Sequence, residues 1–232
     1  MSMQAGLRRI TPALAERLAA EPALVRAVIA GRTGDEPLPA TDLDAFLSLL
    51  PSHMRLMLDE MAPDMLAAYM AEAERMLADM PPALHEQIAA ARRTDARKGE
   101  ASLDPGDLGS ELSLEKAWHG VHRLLCGTPD EAPPPLGDAV LGGDAVGEDL
   151  GYGPARVLDP TRVAAVAAAL RAISVDEIAG RFDAVRLDAD GVYPAGWAEQ
   201  GRREWLRDEY SRLRTFYLEA ATEGSSVLLW LE

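Results

Sequence analysis

The sequence is poor in cysteine and in aromatic residues, and each scarcity limits how the protein can be stabilised. Cys126 is the only cysteine, so no disulfide can form within the chain, which fits a reducing compartment. Aromatic residues are 5% of the 232 residues, so aliphatic side chains, alanine and methionine must fill most of the core. No apolar run approaches the roughly 18–20 residues of a transmembrane helix. Met1–Ile10 lacks the regions of a secretory signal, and we expect a cytoplasmic protein.

Positive charge is also scarce. The chain has 38 acidic residues against 23 lysines and arginines, so its formal net charge is −15. A field of this sign repels phosphate backbones and anionic membrane surfaces, so we expect neither a nucleic acid nor a membrane as a partner. The charge favours a basic protein partner, or it serves solubility alone; both interpretations stay open.

Signals at the two ends of the chain predict a sheet. Ser2–Ile10 has the character of a strand, and Ser226–Leu231 is a continuous apolar run typical of a strand buried on both faces. Chain ends often lie close together, so we expect these strands to pair. Helix-start signals such as Thr11-Pro12 and Asp159-Pro160 recur between them. The sequence therefore predicts one α+β domain, mostly helical, with a small sheet joining the N- and C-terminal strands.

A methionine-rich stretch lies in the first half of the chain. Its methionines recur mostly at helical spacing: Met54, Met57, Met61, Met65, Met70, Met76 and Met80. Periodic apolar residues on a helix usually face the core or a second copy of the chain. Methionine is also adaptable enough to form a binding face for several partners. We therefore expect either ordinary core packing or contact with another chain, by self-association or with a different protein.

One helix combines a clear apolar face with two histidines. We predict it over Leu114–Cys126, capped by Ser113, with Leu114, Ala117, Trp118, Val121 and Leu125 on the apolar face. His122 is expected at the border of that face, with His119 and Cys126 further round the same flank. Imidazole and thiolate are metal ligands, but no second cysteine exists to complete a site. We expect no metal and no cofactor, and the histidines are either hydrogen-bonding residues of the fold or part of a binding pocket.

The glycine-rich stretch Gly147–Arg156 is the second candidate. It carries Glu148, Asp149, Tyr152 and Arg156 on what we predict to be a loop, because its glycines permit unusual backbone angles. The loop could line a pocket, or Arg156 could bridge to Glu148 or Asp149 and hold its shape. Neither the P-loop pattern nor the dinucleotide fingerprint is present.

Taken together, these two stretches supply the candidate binding residues, and no catalytic residue is assigned. The candidates are Trp118, His119, His122, Glu148, Asp149, Tyr152 and Arg156.

Several stretches together resemble the YfbM-like family of bacterial proteins, a domain of unknown function. The matching pieces are Met1–Met3, Lys116–His122 with the Leu-Leu-Cys-Gly that follows, Pro135–Gly143, Gly147–Arg156, Tyr193-Pro194 with Trp197, and Tyr210, Phe216-Tyr217 and the closing strand. The resemblance implies an α+β domain whose two ends join one sheet, and it implies no reaction. Shorter relatives differ at about residues 32–111, so the resemblance implies one domain over residues 1–232 with a methionine-rich helical insertion or elaboration there.

Two hypotheses follow for function. The first is a cytoplasmic, non-enzymatic binding or protein-interaction domain, because no complete catalytic pattern is present and the acidic field suits a basic partner. The second is a small-molecule-binding protein or enzyme with a pocket between the Trp118–His122 helix and the Gly147–Arg156 loop. Such a pocket would combine aromatic surface with a few convergent polar groups.

Overall fold

The computed structural model describes residues 3–31 and 103–232. Both segments belong to one compact unit formed by Met1–Arg32 and Leu103–Glu232. The methionine-rich stretch lies outside the described residues, so its helices, its contacts and its status as an insertion stay predictions.

A five-stranded antiparallel sheet organises the unit. Its strands are β1 (Ala5–Ile10), β2 (Leu108–Glu115), β3 (Asp144–Asp149), β4 (Pro154–Leu158) and β5 (Ser226–Leu231). They lie in the order β2-β1-β5-β4-β3. Strands β1 and β5 pair without interruption from Ala5–Leu231 to Ile10–Ser226. The predicted pairing of the two chain ends is therefore confirmed, although the sheet is larger than expected.

Seven α-helices lie in the described part of the chain: α1 (Pro12–Ala20), α2 (Val25–Ile29), α3 (Trp118–Cys126), α4 (Pro160–Ala172), α5 (Val175–Gly180), α6 (Ala184–Ala189) and α7 (Arg202–Glu223). Thr11 and Asp159 cap α1 and α4 through their side-chain oxygens, as the sequence predicts. The α+β fold is thus confirmed. None of the described helices is both long and apolar enough to span a membrane.

The core lies on both faces of the sheet. Leu7 on β1 and Val227 and Leu229 on β5 join the main apolar cluster, together with residues of α3, α4 and α7. Successive side chains of a strand point to opposite faces, so Leu228 and Trp230 point the other way. On that side α1 contacts β3 and β5. Strand β5 is therefore buried on both faces, as its apolar run predicts.

The predicted start of the histidine helix is wrong. Ser113 does not cap a helix but lies within β2, and α3 begins only at Trp118. Leu112 and Leu114 are both buried on β2 with Ser113 between them less buried, which is the period of a strand. Cross-strand pairing of β2 with β1 outweighs the helical pattern at these positions.

The expected glycine-rich loop is also different in the structure. Gly147–Arg156 forms most of the hairpin of β3 and β4, which pair antiparallel with a register shift between Val146 and Asp149. Only residues 150–153 lie outside the two strands. The stretch is therefore an extension of the sheet, with a short glycine turn at its tip.

Candidate functional site

Helix α3 is held in place by a buried apolar face. Trp118, Val121 and Leu125 are buried against the main cluster at helical spacing, as predicted. Gly127 ends the helix in the left-handed conformation, with a φ of 78°, and its N–H donates to the Arg123 carbonyl. The histidines are thus carried on a rigid element with a defined end.

His119 has partners for both ring nitrogens. Its Nδ1 accepts the backbone N–H of Tyr193 at 3.0 Å, and its Nε2 donates to the carbonyl of Pro129 at 3.0 Å. The ring stacks on Trp118, with centroids 4.7 Å apart and planes 9° from parallel. Burial lowers the pKa of His119, against the opposing effect of the Pro129 carbonyl. The side chain is therefore a neutral imidazole protonated at Nε2.

His122 is fully buried, not at the border of the apolar face as expected. Its Nε2 donates to the carbonyl of Asp130 at 2.8 Å, and its Nδ1 lies 3.8 Å from the Cys126 sulfur. Burial lowers its pKa. The ring is buried because the chain after α3 folds back over it and supplies the Asp130 carbonyl.

The Cys126 thiol is the third polar group on this flank. Burial raises its pKa to about 11, so the thiol is protonated at neutral pH and can donate to Nδ1 of His122. A thiol in this state is a poor nucleophile. The described residues contain no group of three or more histidine, cysteine or acidic side chains arranged to hold a metal.

The segment after α3, which we call the connector (residues 128–135), accepts hydrogen bonds from the two histidines of α3 and from Arg156 of the β3–β4 hairpin. Pro129 and Asp130 accept the two histidines through their carbonyls. Glu131 accepts the Arg156 guanidinium at 2.9 Å. Arg156 therefore does not bridge to Glu148 or Asp149; it joins the hairpin to the connector, which in turn is tied to α3.

The turn of the hairpin is organised by Asp149. Its Oδ1 accepts the backbone N–H of Gly151 at 2.7 Å and of Gly153 at 3.0 Å. These hydrogen bonds lower the pKa of the Asp149 carboxyl. Glu148 is exposed and Tyr152 is 38% exposed. These three candidates lie at the solvent-facing tip, while Trp118 and His122 lie in the interior.

Three of the candidates, His119, His122 and Arg156, are therefore linked through the connector. The structure brings Trp118 and His119 together directly, and Arg156 joins the histidines only through the 129–131 backbone. Two cavities of the described part are lined by other residues. One, of about 370 Å³, lies between β2 and α7, and the other, of about 450 Å³, lies between the ends of α3 and α5 and the start of α6.

With this geometry in place, comparison with known proteins decides the family. The sequence matches the family described as "Domain of unknown function (DUF1877)" over residues 1–230. The chain belongs to the DUF1877 family. This match confirms the resemblance to YfbM-like proteins and supplies no activity.

The DUF1877 chain is also similar to a solved structure. That structure is the crystal structure of YfbM from Escherichia coli, a protein of unknown function, at 21% sequence identity. The similarity covers 66% of this chain and 96% of YfbM, with a TM-score of 0.45. Among curated proteins, no relative matches the chain.

Sequence reasoning missed the acceptors that hold the site of this DUF1877 member together. Two of them, Pro129 and Asp130, act through backbone carbonyls, which every residue carries, so no side-chain pattern marks them. The ion pair of Arg162 with the buried Asp138 was missed for a different reason. Its partners are 24 residues apart and meet only once the 310 turn Gly137–Ala139 packs beside α4.

Proposed function

We propose that this chain is a non-enzymatic binding domain that acts through a basic protein partner. The observation that carries the proposal is the state of α3: His119 and His122 each have both ring nitrogens bonded internally, and the Cys126 thiol is protonated. General acid–base catalysis needs a nitrogen that can reach a substrate proton. Nucleophilic catalysis by cysteine needs a thiolate. Groups in this state stabilise the fold rather than transform a substrate.

The charge of the chain supports the nature of the partner. A net charge of −15 attracts basic surfaces over distances of about a Debye length and speeds their association. Carboxylates that contribute to this field are exposed to solvent: the side chain of Asp144 is 90% exposed and that of Glu131 is 76% exposed. The choice of a basic partner follows from this distributed field, and the partner is assigned to no single patch.

Self-association through the methionine-rich stretch is a second candidate for the interaction. The helical spacing of the methionines supports it, and these methionines lie outside the described residues. We also propose a cytoplasmic location, in a bacterium as the family resemblance implies, because a lone thiol persists in a reducing compartment.

The small-molecule alternative has less support from the geometry. In the proposed pocket, the polar groups of His122 and Arg156 are satisfied by Asp130 and Glu131 of the connector. The two cavities named above are lined by none of the seven candidate residues. A small molecule has more room in the cavity between the ends of α3 and α5 and the start of α6.

The test begins with partner capture from the native cell. The tagged full chain is crosslinked in vivo, the co-purifying protein is identified, and the complex is rebuilt from two pure components. We expect a stoichiometric complex with a basic protein whose association rate falls steeply as salt is added. The absence of a stoichiometric partner, or an acidic partner with salt-independent association, would overturn the proposal.

Two matched variants separate steering by the field from a general loss of folding. Asp144→Asn removes an exposed negative charge, and Arg171→Gln removes an exposed positive charge from α4. The field predicts a slower association rate for the first variant and a faster one for the second. If both changes move the rate in the same direction, the field does not guide the encounter.

A further inference from the structure

The cleft between the ends of α3 and α5 and the start of α6 has a composition unlike the rest of this acidic chain. Its volume is about 450 Å³, and three arginines line it: Arg123, Arg181 and Arg186. Asp183 is the single carboxylate among the lining residues. The three guanidiniums come from separate elements, and the fold brings them to one cavity.

Two of these guanidiniums are held in place by neighbours. Arg123, which is 9% exposed, donates to Asp190 at 2.7 Å. Arg181 donates to the Leu124 carbonyl at 3.1 Å and to Glu177 at 2.6 Å. A guanidinium that is already fixed loses little conformational freedom when a ligand binds. These hydrogen bonds therefore lower the entropic cost of binding in the cleft.

Arg186 differs from the other two. Its guanidinium has no hydrogen bond and no ion pair with any described residue, although its backbone N–H donates to the Asp183 side chain at 3.1 Å. That bond occupies one carboxylate oxygen of Asp183 as the cap of α6. Asp183 keeps its negative charge, and Asp190 and Glu177 pair with the other two arginines. Among the described residues, Arg186 therefore supplies the one guanidinium of the cleft whose N–H groups are all free for a ligand.

The cleft also has room and an apolar wall. A Cβ atom added at Gly127 or Gly180 would meet no heavy atom within 4 Å, so both glycines border open space. Leu124 and Phe182 line the same cavity. A ligand with an apolar body and an anionic end would satisfy both kinds of wall.

We propose that this cleft binds a small organic oxyanion, with a carboxylate or phosphate group at Arg186 and Arg123 and an apolar part against Phe182. The planar guanidinium matches both groups through paired N–H···O bonds. This site goes beyond the proposed protein partner and does not depend on it, because a small anion would be held by the arginines of one cavity, whereas the protein partner is selected by the negative field of the whole chain.

The experiment titrates the ¹⁵N-labelled full chain with phenyl phosphate, phenylacetate and, as the uncharged control, phenol. We expect saturable shifts of the Gly127 and Gly180 amide signals with at least one of the anions and none with phenol. The anion that binds more tightly identifies the phosphate or the carboxylate class. If neither anion gives saturable shifts at these two amides, the proposal is overturned.

Three variants complete the test. Arg186→Gln is expected to weaken anion binding about tenfold, since it removes a charge-assisted contact. Arg171→Gln, which removes an equal charge from the exposed face of α4, is expected to leave it unchanged. Gly180→Leu adds an apolar side chain at the lining of the cleft without changing charge and should weaken binding, while the helical position tolerates leucine. Equal weakening by the two arginine variants, or full binding by Gly180→Leu, would refute the site.

Discussion

The Nε2 atom of His122 lies 2.8 Å from the carbonyl oxygen of Asp130, eight residues further along the chain. This bond closes the connector over α3 and buries the imidazole completely. A histidine that could be mistaken for a catalytic group is thereby a structural donor, and its removal should be visible in stability.

We expect His122→Ala to lower the free energy of unfolding by about 2–4 kcal/mol, because it leaves a cavity and an unpaired carbonyl. Urea denaturation followed by circular dichroism measures the change. Arg171→Ala on the exposed face of α4 is the control and should cost less than about 0.5 kcal/mol. A loss at His122 no larger than the control would contradict the structural role.

The same burial makes stability depend on pH. The folded-state pKa values of His119 and His122 are lowered from 6.5, chiefly because burial disfavours the charged ring. Above pH 6.5 the two imidazoles are neutral in both the folded and the unfolded chain, and their contribution to the free energy of unfolding is fully present. As pH falls below 6.5 the unfolded chain takes up protons first, so stability decreases until the folded pKa is reached.

Unfolding free energies measured at steps from pH 8 to pH 5.5 test this dependence. The variant His119→Gln/His122→Gln should start lower in stability but lack the decrease below pH 6.5. The raised pKa of Glu209, which results mainly from burial, acts in the opposite direction from pH 4.5 upward and is common to both proteins. The difference between the two curves isolates the histidines, and parallel curves would count against their buried, neutral state.

Local signals account for the parts of the fold that the sequence predicts well. The caps at Thr11 and Asp159 involve side chains and amides three residues apart, so a short stretch contains the whole interaction. The continuous apolar run of β5 likewise marks a strand buried on both faces without reference to its neighbours.

The parts that could not be predicted depend on distant partners. Strand β2 forms because β1 supplies its backbone hydrogen-bond partners. Leu7 lies opposite Leu112, although the two residues are more than a hundred positions apart in the sequence. The role of Arg156 depends on Glu131, 25 residues away, although two nearer carboxylates were equally good candidates by charge. Spacing along the chain does not encode which of several acids an arginine will meet.

A pair of helical glycines provides a sharper test of packing. Gly120 lies on α3, where an added Cβ would come within 2.6 Å of the Trp197 ring and 2.8 Å of the Leu206 side chain. Gly180 ends α5 and borders open space. The same substitution by alanine should therefore have opposite effects at the two positions.

We expect Gly120→Ala to destabilise the protein by about 1–3 kcal/mol, because overpacking exceeds the gain in helix propensity. Gly180→Ala should stabilise it by about 0.4–1 kcal/mol, since it restricts the unfolded chain without a clash. Thermal and urea denaturation of both variants measure these changes. A stabilising effect at Gly120 would show that α3 does not pack closely on Trp197 and α7.

The ion pairs of Arg162 and Arg156 differ in the burial of their acids. Arg162 contacts Asp138 at 2.7 Å, and the Asp138 side chain is only 5% exposed, whereas Glu131 opposite Arg156 is 76% exposed. Arg162→Ala strands a buried carboxylate and should cost about 2–3 kcal/mol, less than for a fully buried pair because Arg162 is itself partly exposed. Arg156→Ala should cost less than about 1 kcal/mol.

Urea denaturation of the two variants tests this order. Adding Asp138→Asn to the Arg162→Ala background removes the unpaired charge and should recover part of the lost stability. The equivalent addition of Glu131→Gln to Arg156→Ala should recover almost nothing, because water already solvates that carboxylate. Equal losses in the two single variants, or no recovery with Asp138→Asn, would mean that the 310 turn Gly137–Ala139 is held by its backbone bonds and not by this pair.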